Sequence, residues 1–227
     1  RDGLARGEAA AVLALVREPD ARRSARVFGW ISGFGASCDA THLTAPDPNG
    51  AGLARAAASA MAEAGDPTIG LVSAHGTATA QNDRSEAAAI VATLGERARV
   101  VPVYSLKGAV GHTLGAAGAL EVLSAALALE RAIAPASSGE GAAEAGLRVL
   151  DRAERCEARN VLKLSSAFGG ANAALVVSAD PVEASGAPRA ASAREEDVFL
   201  AAPVAASPAD AEAEVLARRT GYAADRL

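Results

Sequence analysis

Aromatic side chains are nearly missing from this 227-residue chain, at 3% of its residues. With half the residues apolar, the core must be packed by alanine, valine and leucine, and such small side chains let helices approach closely. Cysteine is equally scarce. Cys38 and Cys156 lie far apart without CxxC spacing, which argues against a disulfide framework or a cysteine metal site and fits a reducing cytoplasm. No basic stripe offsets the net charge of -5, which argues against a nucleic-acid binder; Arg22-Arg23 and Arg218-Arg219 read as short solvated patches beside acids. The chain opens on Arg1-Asp2-Gly3, without the basic and apolar regions of a signal peptide. Its most apolar stretch, 113–134, carries Glu121, Glu130 and Arg131, and reads as a buried helix rather than a membrane span. There is no GxSxG elbow for a hydrolase, and no His/Cys/Asp cluster has metal-ligand spacing. An initiating methionine is also missing, so the chain is expected to start inside a longer reading frame.

What is present alternates between short apolar runs and helical stretches, the pattern of an α/β fold. Strands are expected at 9–16, 26–36, 68–74 and 100–106, the last ending at Lys107. Residues 39–48 form a loop stiffened by Pro46 and Pro48. A helix over 50–64 places Leu53, Ala57, Ala60, Met61 and Ala64 on one face, and Gly65-Asp66-Pro67 stops it. Asp83 is read as the N-cap of a helix running to Leu94, with Glu86 three residues on completing a capping box. A further helix continues to about residue 129; the glycines near its start, Gly115 and Gly118, imply very close packing against another element. Residues 161–165 and 173–178 read as antiparallel strands joined by a glycine turn. Beyond residue 179 the composition shifts. Residues 181–194 look like a linker, 197–204 reads as a short strand, and 208–222 returns to a helical pattern.

Three motifs sit at the ends of apolar runs, where active sites gather. They are His75-Gly76-Thr77-Ala78-Thr79, Lys107-Gly108-Ala109-Val110-Gly111-His112, and Phe168-Gly169-Gly170-Ala171-Asn172. Each has an ordinary structural reading: a turn histidine satisfied by backbone, a snorkelling lysine, a tight hairpin with an aromatic anchor. The functional reading unites them. Two neutral imidazoles can donate hydrogen bonds to a thioester carbonyl or a developing enolate. Lys107 at the end of a buried strand needs a counter-charge, for which Glu86 and Asp83 are the candidates. Thr77 and Thr79 either bind a polar tether or are solvated turn residues.

In combination the motifs resemble the C-terminal half of a β-ketoacyl synthase, a thiolase-like condensing enzyme of fatty-acid and polyketide synthesis. The resemblance covers residues 1–178. Arg1-Asp2-Gly3 with Gly7-Glu8 is similar to the family's RDG…GE segment, and Ser37-Cys38-Asp39-Ala40 with His42 and Thr44-Ala45-Pro46-Asp47-Pro48 to its S-x-DA-x-H-x-TAPDP loop. The three motifs are similar to HGTxT…D..E, which takes in Asp83 and Glu86, to KxxxGH, and to FGGxN, which takes in Asn172. The implied fold is one half of a layered αβαβα arrangement, a mixed sheet with buried helices, over residues 1–179. A flexible linker follows at 180–208 and a short helix at 209–227.

The implied reaction is a decarboxylative Claisen condensation of an acyl thioester with malonyl carrier protein. By this resemblance His75 and His112 assist decarboxylation and hold the intermediate, while Lys107 orders the site beside Glu86. Thr77 and Thr79 contact the pantetheine arm, Phe168 is the gate beside the nucleophile, and Gly169 and Gly170 join them as substrate-binding residues. No metal or dissociable cofactor is implied, since the substrates ride on the phosphopantetheine of an acyl carrier protein. The implied partners are an N-terminal ketosynthase half, the carrier protein, and a second ketosynthase in a homodimer or heterodimer; no nucleic acid or membrane is implied. The family's nucleophilic cysteine belongs to the N-terminal half. Neither Cys38 nor Cys156 stands in its place, so the isolated chain is expected to be inactive and prone to aggregate. A non-catalytic partner resembling a chain-length factor is the alternative. Ala78 replaces a common glycine, and Ser166-Ala167 replaces a common Phe-Gly, so the acyl pocket or gate is expected to differ from that of many members. Residues 214–222 and Leu227 read either as a generic amphipathic helix or, by a second resemblance, as the first helix of a polyketide acyl carrier protein.

Overall fold

The computed structural model describes residues 3–21, 23, 26–137, 146–181 and 199–201. Expectations for the helix at 208–222, the carrier-like tail and most of the linker lie outside the described residues. Among the described residues, ten strands and five α-helices follow in order: β1 Ala14–Val16, α1 Glu18–Ala21, β2 Val27–Cys38, α2 Ala51–Glu63, β3 Leu71–Ser73, α3 Ala80–Leu94, β4 Pro102–Tyr104, α4 Lys107–Val110, α5 Ala117–Arg131, β5 Ile133–Ala134, β6 Arg148–Val149, β7 Glu154–Arg155, β8 Asn160–Ala167, β9 Ala171–Ser178 and β10 Phe199–Ala201. Eight strands form one mixed sheet in the order β1-β10-β2-β9-β8-β3-β4-β6, and β5 and β7 form a separate ribbon. Strands β8, β3, β4 and β6 run parallel to one another, while β9 and β2 are antiparallel additions. The expected hairpin is thus β8–β9. The expected strand at 9–16 shrinks to β1, which pairs with β10.

Alternation along the strands builds a layer on each face. Leu162, Leu164, Ala174 and Val176 pack with Leu53, Ala56, Ala60 and Ile90 of α2 and α3. Val161, Val177 and Leu71 pack instead with Val122, Ala125 and Leu129 of α5. A register shift in β2 between Ile31 and Gly33 changes which face its residues meet. Gly29 therefore lies against Ala126 of α5, whereas Gly33 and Gly35 lie under α2. A Cβ on Gly33 or Gly35 would stand 2.0 Å from the carbonyl oxygen of Ala60 or Ala56, so strand and helix backbones touch. That contact is what the alanine-rich face of α2 permits.

The helix after residue 79 corrects the capping assignment. It begins at Ala80 with Thr79 at the N-cap, so Asp83 lies within the helix and Glu86 a further three residues along it. The helix over 113–134 is interrupted as well: a 3-10 turn, Leu114–Ala116, precedes α5. Close packing at its glycines is not found, because nothing lies within 4 Å of the Cβ positions of Gly115 and Gly118, and Leu114 is exposed. The buried face of α5 is carried instead by Glu121, Val122, Ala125 and Leu129. No helix among the described residues is long and apolar enough to cross a membrane.

Candidate active site

The site lies beyond the C-terminal ends of β3 and β4, with β8 beside them. β3 delivers His75, a residue only 8% exposed. Glu86 fixes the turn after the strand. Its carboxylate accepts the amide N–H of His75 at 2.6 Å and of Gly76 at 2.8 Å. The glutamate expected to back-cap its own helix thus clamps the neighbouring strand end. Burial pushes the Glu86 carboxyl up to about 7, against the opposing pull of those two amides and of Lys107.

Lys107 opens α4 rather than ending β4, and its ammonium is buried. It donates to the carbonyl oxygen of His75 at 2.6 Å and lies 3.3 Å from His75 Nδ1. Its ion-pair partner is Glu121 on α5, not Glu86 or Asp83. The sequence reading missed Glu121 because it is an acid inside an apolar helix, 14 residues beyond the lysine. Only an unexplained charge on the buried face of that helix could have revealed it. An ammonium can only donate, so His75 Nδ1 must accept, which leaves the ring proton on Nε2. Burial, then Lys107, Lys163 and His112, pushes His75 down to about 2, so the ring is neutral.

His112 follows Gly111, whose φ of +74° suits glycine. A Cβ on Gly7 would clash with the carbonyl of Val110, so the N-terminal segment packs directly on this turn. His112 N–H donates to Ala5 O at 2.7 Å, and Gly7 N–H donates to His112 O at 3.0 Å. Its Nδ1 accepts the amide of Leu114 at 3.0 Å, again leaving the proton on Nε2. Burial and then Lys107 lower its pKa, opposed by Glu121. The two rings meet edge to face with centroids 5.6 Å apart.

Thr77 and Thr79 share a hydroxyl hydrogen bond of 3.0 Å. Between them Ala78 takes φ +62°, a left-handed conformation that glycine adopts without strain and alanine does not. Asp83 lies on α3 one turn before Glu86, whose proton its charge helps to retain. Phe168 tips the turn at 82% exposure, and Gly169 and Gly170 both have positive φ. That turn is tied to the 39–48 loop. Gly169 N–H donates to Leu43 O at 2.7 Å, and Asp39 N–H donates to Gly170 O at 2.9 Å. Asn172 Nδ2 donates to Asp39 Oδ1 at 2.7 Å, and Ser166 Oγ donates to Asn172 Oδ1 at 2.8 Å. The structure therefore brings His75, His112, Lys107 and Glu86 into one cluster and the FGGxN residues into a second, with β8 joining them. Each free sulfur faces a backbone carbonyl: Cys38 that of Gly169 at 3.5 Å, and Cys156 that of Gly70 at 3.7 Å. No group of three His, Cys, Asp or Glu residues among those described could hold a metal ion.

A mixed sheet layered by helices on both faces, with imidazoles and an ammonium beyond its parallel strand ends, defines the C-terminal region of a thiolase-like fold. The family described as "Beta-ketoacyl synthase, C-terminal domain" matches residues 28–140. The actinorhodin polyketide putative beta-ketoacyl synthase 1 of Streptomyces coelicolor is 39% identical over 184 residues, which cover 78% of this chain and 39% of that protein. The 3-oxoacyl-[acyl-carrier-protein] synthase 2 of Coxiella burnetii is 36% identical over 184 residues, covering 78% and 44%. A solved type II polyketide synthase complex, of an acyl-carrier protein with its ketosynthase bound to the hexaketide, matches with a TM-score of 0.67 and 31% identity. That match covers 70% of this chain and 40% of the matched one. The chain belongs to the β-ketoacyl synthase family. It spans about two fifths of the length of the curated relatives it matches.

Proposed function

We propose that this chain supplies the histidine half of a β-ketoacyl synthase site, serving decarboxylative Claisen condensation in polyketide or fatty-acid assembly. The carrying observation is the pair of edge-on imidazoles, each with Nδ1 engaged and a proton on Nε2. Two neutral N–H donors suit a thioester oxygen that gains negative charge, since they stabilise it without first surrendering a proton. When a malonyl thioester loses carbon dioxide, the bond between its carboxylate and α-carbon breaks and the electron pair enters the thioester enolate. His75 and His112 donate to that enolate oxygen. The α-carbon then attacks an acyl thioester carbonyl, a carbon–carbon bond forms, and the cysteine thiolate departs. Lys107 does not touch the substrate; it sets the His75 tautomer. Thr77 and Thr79 bind the pantetheine arm of a carrier protein, and Phe168 gates the acyl site. No metal or dissociable cofactor takes part.

The nucleophile comes from an N-terminal half that covers the open side of Gly115 and Gly118 and the exposed Leu114 and Val110. Cys38 and Cys156 are not that nucleophile. The 227-residue chain alone, incubated with an acyl thioester, should show no acyl adduct by mass spectrometry, and efficient acylation of Cys38 would overturn this reading. In the full-length ketosynthase, His75→Ala or His112→Ala should slow decarboxylation of malonyl carrier protein by about 100-fold or more. Unchanged decarboxylation in both variants would refute the assigned chemistry. A wild-type protein that neither acylates nor decarboxylates would instead be a non-catalytic, chain-length-factor-like partner.

A further inference from the structure

Lys163 has no part in the chemistry above, yet it lies at its centre. Of the 22 lysines and arginines in the chain, only Lys107 and Lys163 are lysines. Both are buried, and both pair with the same buried carboxylate, that of Glu121. Alternation along β8 puts residues 163 and 165 on the α5 face. There Lys163 Nζ stands 2.9 Å from Glu121 Oε2 and donates to the hydroxyl of Ser165. Oε2 accepts no aligned hydrogen bond, so the ammonium is its charge partner, while Oε1 pairs with Lys107. The other contacts of Lys107 are the carbonyl oxygen and Nδ1 of His75.

We propose that Lys163 is a positioning residue of the two-imidazole site: by pairing with Oε2 of Glu121 it keeps that carboxylate from chelating Lys107, whose remaining N–H groups then hold His75. Without Lys163, the bare oxygen would turn toward the one remaining ammonium, and His75 Nδ1 would lose its donor. A guanidinium could not substitute, because its planar fork and bulk do not fit where a compact ammonium meets one oxygen and one hydroxyl. Charge balance points the same way. Lys107 on α4, Lys163 on β8, Glu121 on α5 and Glu86 on α3 sum to zero when all are ionised. Removing Lys163 makes the anion of Glu86 harder to form. Glu86 is faced by Asp83 on its own helix, by Lys107, by the amides of His75 and Gly76, and by the charge of Lys163.

This inference rests on the proposed decarboxylation, and its test separates the two. In the full-length ketosynthase, Lys163→Met should lower kcat for malonyl-thioester decarboxylation by about tenfold with little change in KM, and move the acid limb of the pH profile upward by about one unit. Ser165→Ala, which removes only the anchor of Lys163, should shift both in the same direction but less. Nitrogen-15 spectra of the histidine rings should show one Nε2–H tautomer for His75 in wild type and a mixture in Lys163→Met. A purely structural lysine would lower the melting temperature but leave the pH profile and tautomer of the folded protein unchanged, and that result overturns the proposal. If Lys163→Met fails to fold, Ser165→Ala decides on the same two readouts. If wild type itself does not decarboxylate, the functional reading falls and the ring spectra alone judge Lys163.

Discussion

Acid should act on His75 and Glu86 in opposite directions. In the folded protein His75 is pushed from 6.5 down to about 2, and Glu86 from 4.5 up to about 7. As pH falls through 6.5, the unfolded chain protonates this histidine while the folded chain does not, and stability is lost at up to about 1.4 kcal/mol per pH unit. As pH falls from about 7 to 4.5, the folded chain takes up a proton on Glu86 that the unfolded chain still lacks, so stability is gained at a similar slope. The two contributions cancel between roughly pH 6.5 and 4.5. Below that window Glu86 is protonated in both states, and His75 alone acts.

His75→Asn should expose this cancellation. Relative to wild type, it should gain about 2 kcal/mol as pH is lowered from 6.5 to 4.5, because only the wild type suffers the histidine's loss. Titrations common to both proteins drop out of the difference. Urea unfolding followed by fluorescence of Trp30, the one tryptophan and a buried one, gives the measurement at closely spaced pH values. A difference that stays constant across the window would refute the assignment of a buried neutral imidazole.

Gly35→Ala places a methyl against the carbonyl of Ala56 and should cost about 3 kcal/mol in urea, whereas a change within about 0.5 kcal/mol would mean that α2 can lift from the sheet. Glu121→Gln leaves two buried lysines without their carboxylate and should destabilise by roughly 3–5 kcal/mol. Because burial already lowers the Lys163 pKa, that deficit should shrink at alkaline pH as the amine sheds its proton; a pH-independent deficit, or none, would contradict the ion-pair reading. Asn172→Ala removes the side-chain tie to Asp39 and should cost about 1–3 kcal/mol while raising hydrogen exchange across residues 39–48. Unaltered exchange there would show that the backbone bonds of Gly169 and Gly170 hold the loop alone.

Local patterns in the sequence foretold the elements whose burial is periodic. The helix expected over 50–64 is α2, bounded as Ala51–Glu63, because an alanine face and a Gly-Asp-Pro stop are both local signals. The β8–β9 hairpin and the long β2 were legible for the same reason. Strands whose neighbours are short are trimmed by them. The run at 100–106 contracts to β4, whose outer partner β6 has two residues. Asp83 and Glu86 fit a capping box by spacing, but that spacing cannot disclose that a second strand end competes for the carboxylate. The site histidines were visible as glycine-flanked junctions. Glu121 and Lys163 were not, because a charge inside an apolar run acquires its meaning only from another element: β8 and α4 converge on α5 across the sheet.

The burial of both lysines also makes the chain a reporter on itself. Reagents that modify primary amines meet no exposed lysine side chain in the folded protein, while arginine, which they ignore, supplies all the other side-chain cations. Acylation of either lysine would therefore record the fraction of molecules whose central cluster has opened. Rates measured separately at positions 107 and 163 would tell whether the two release Glu121 together or one before the other.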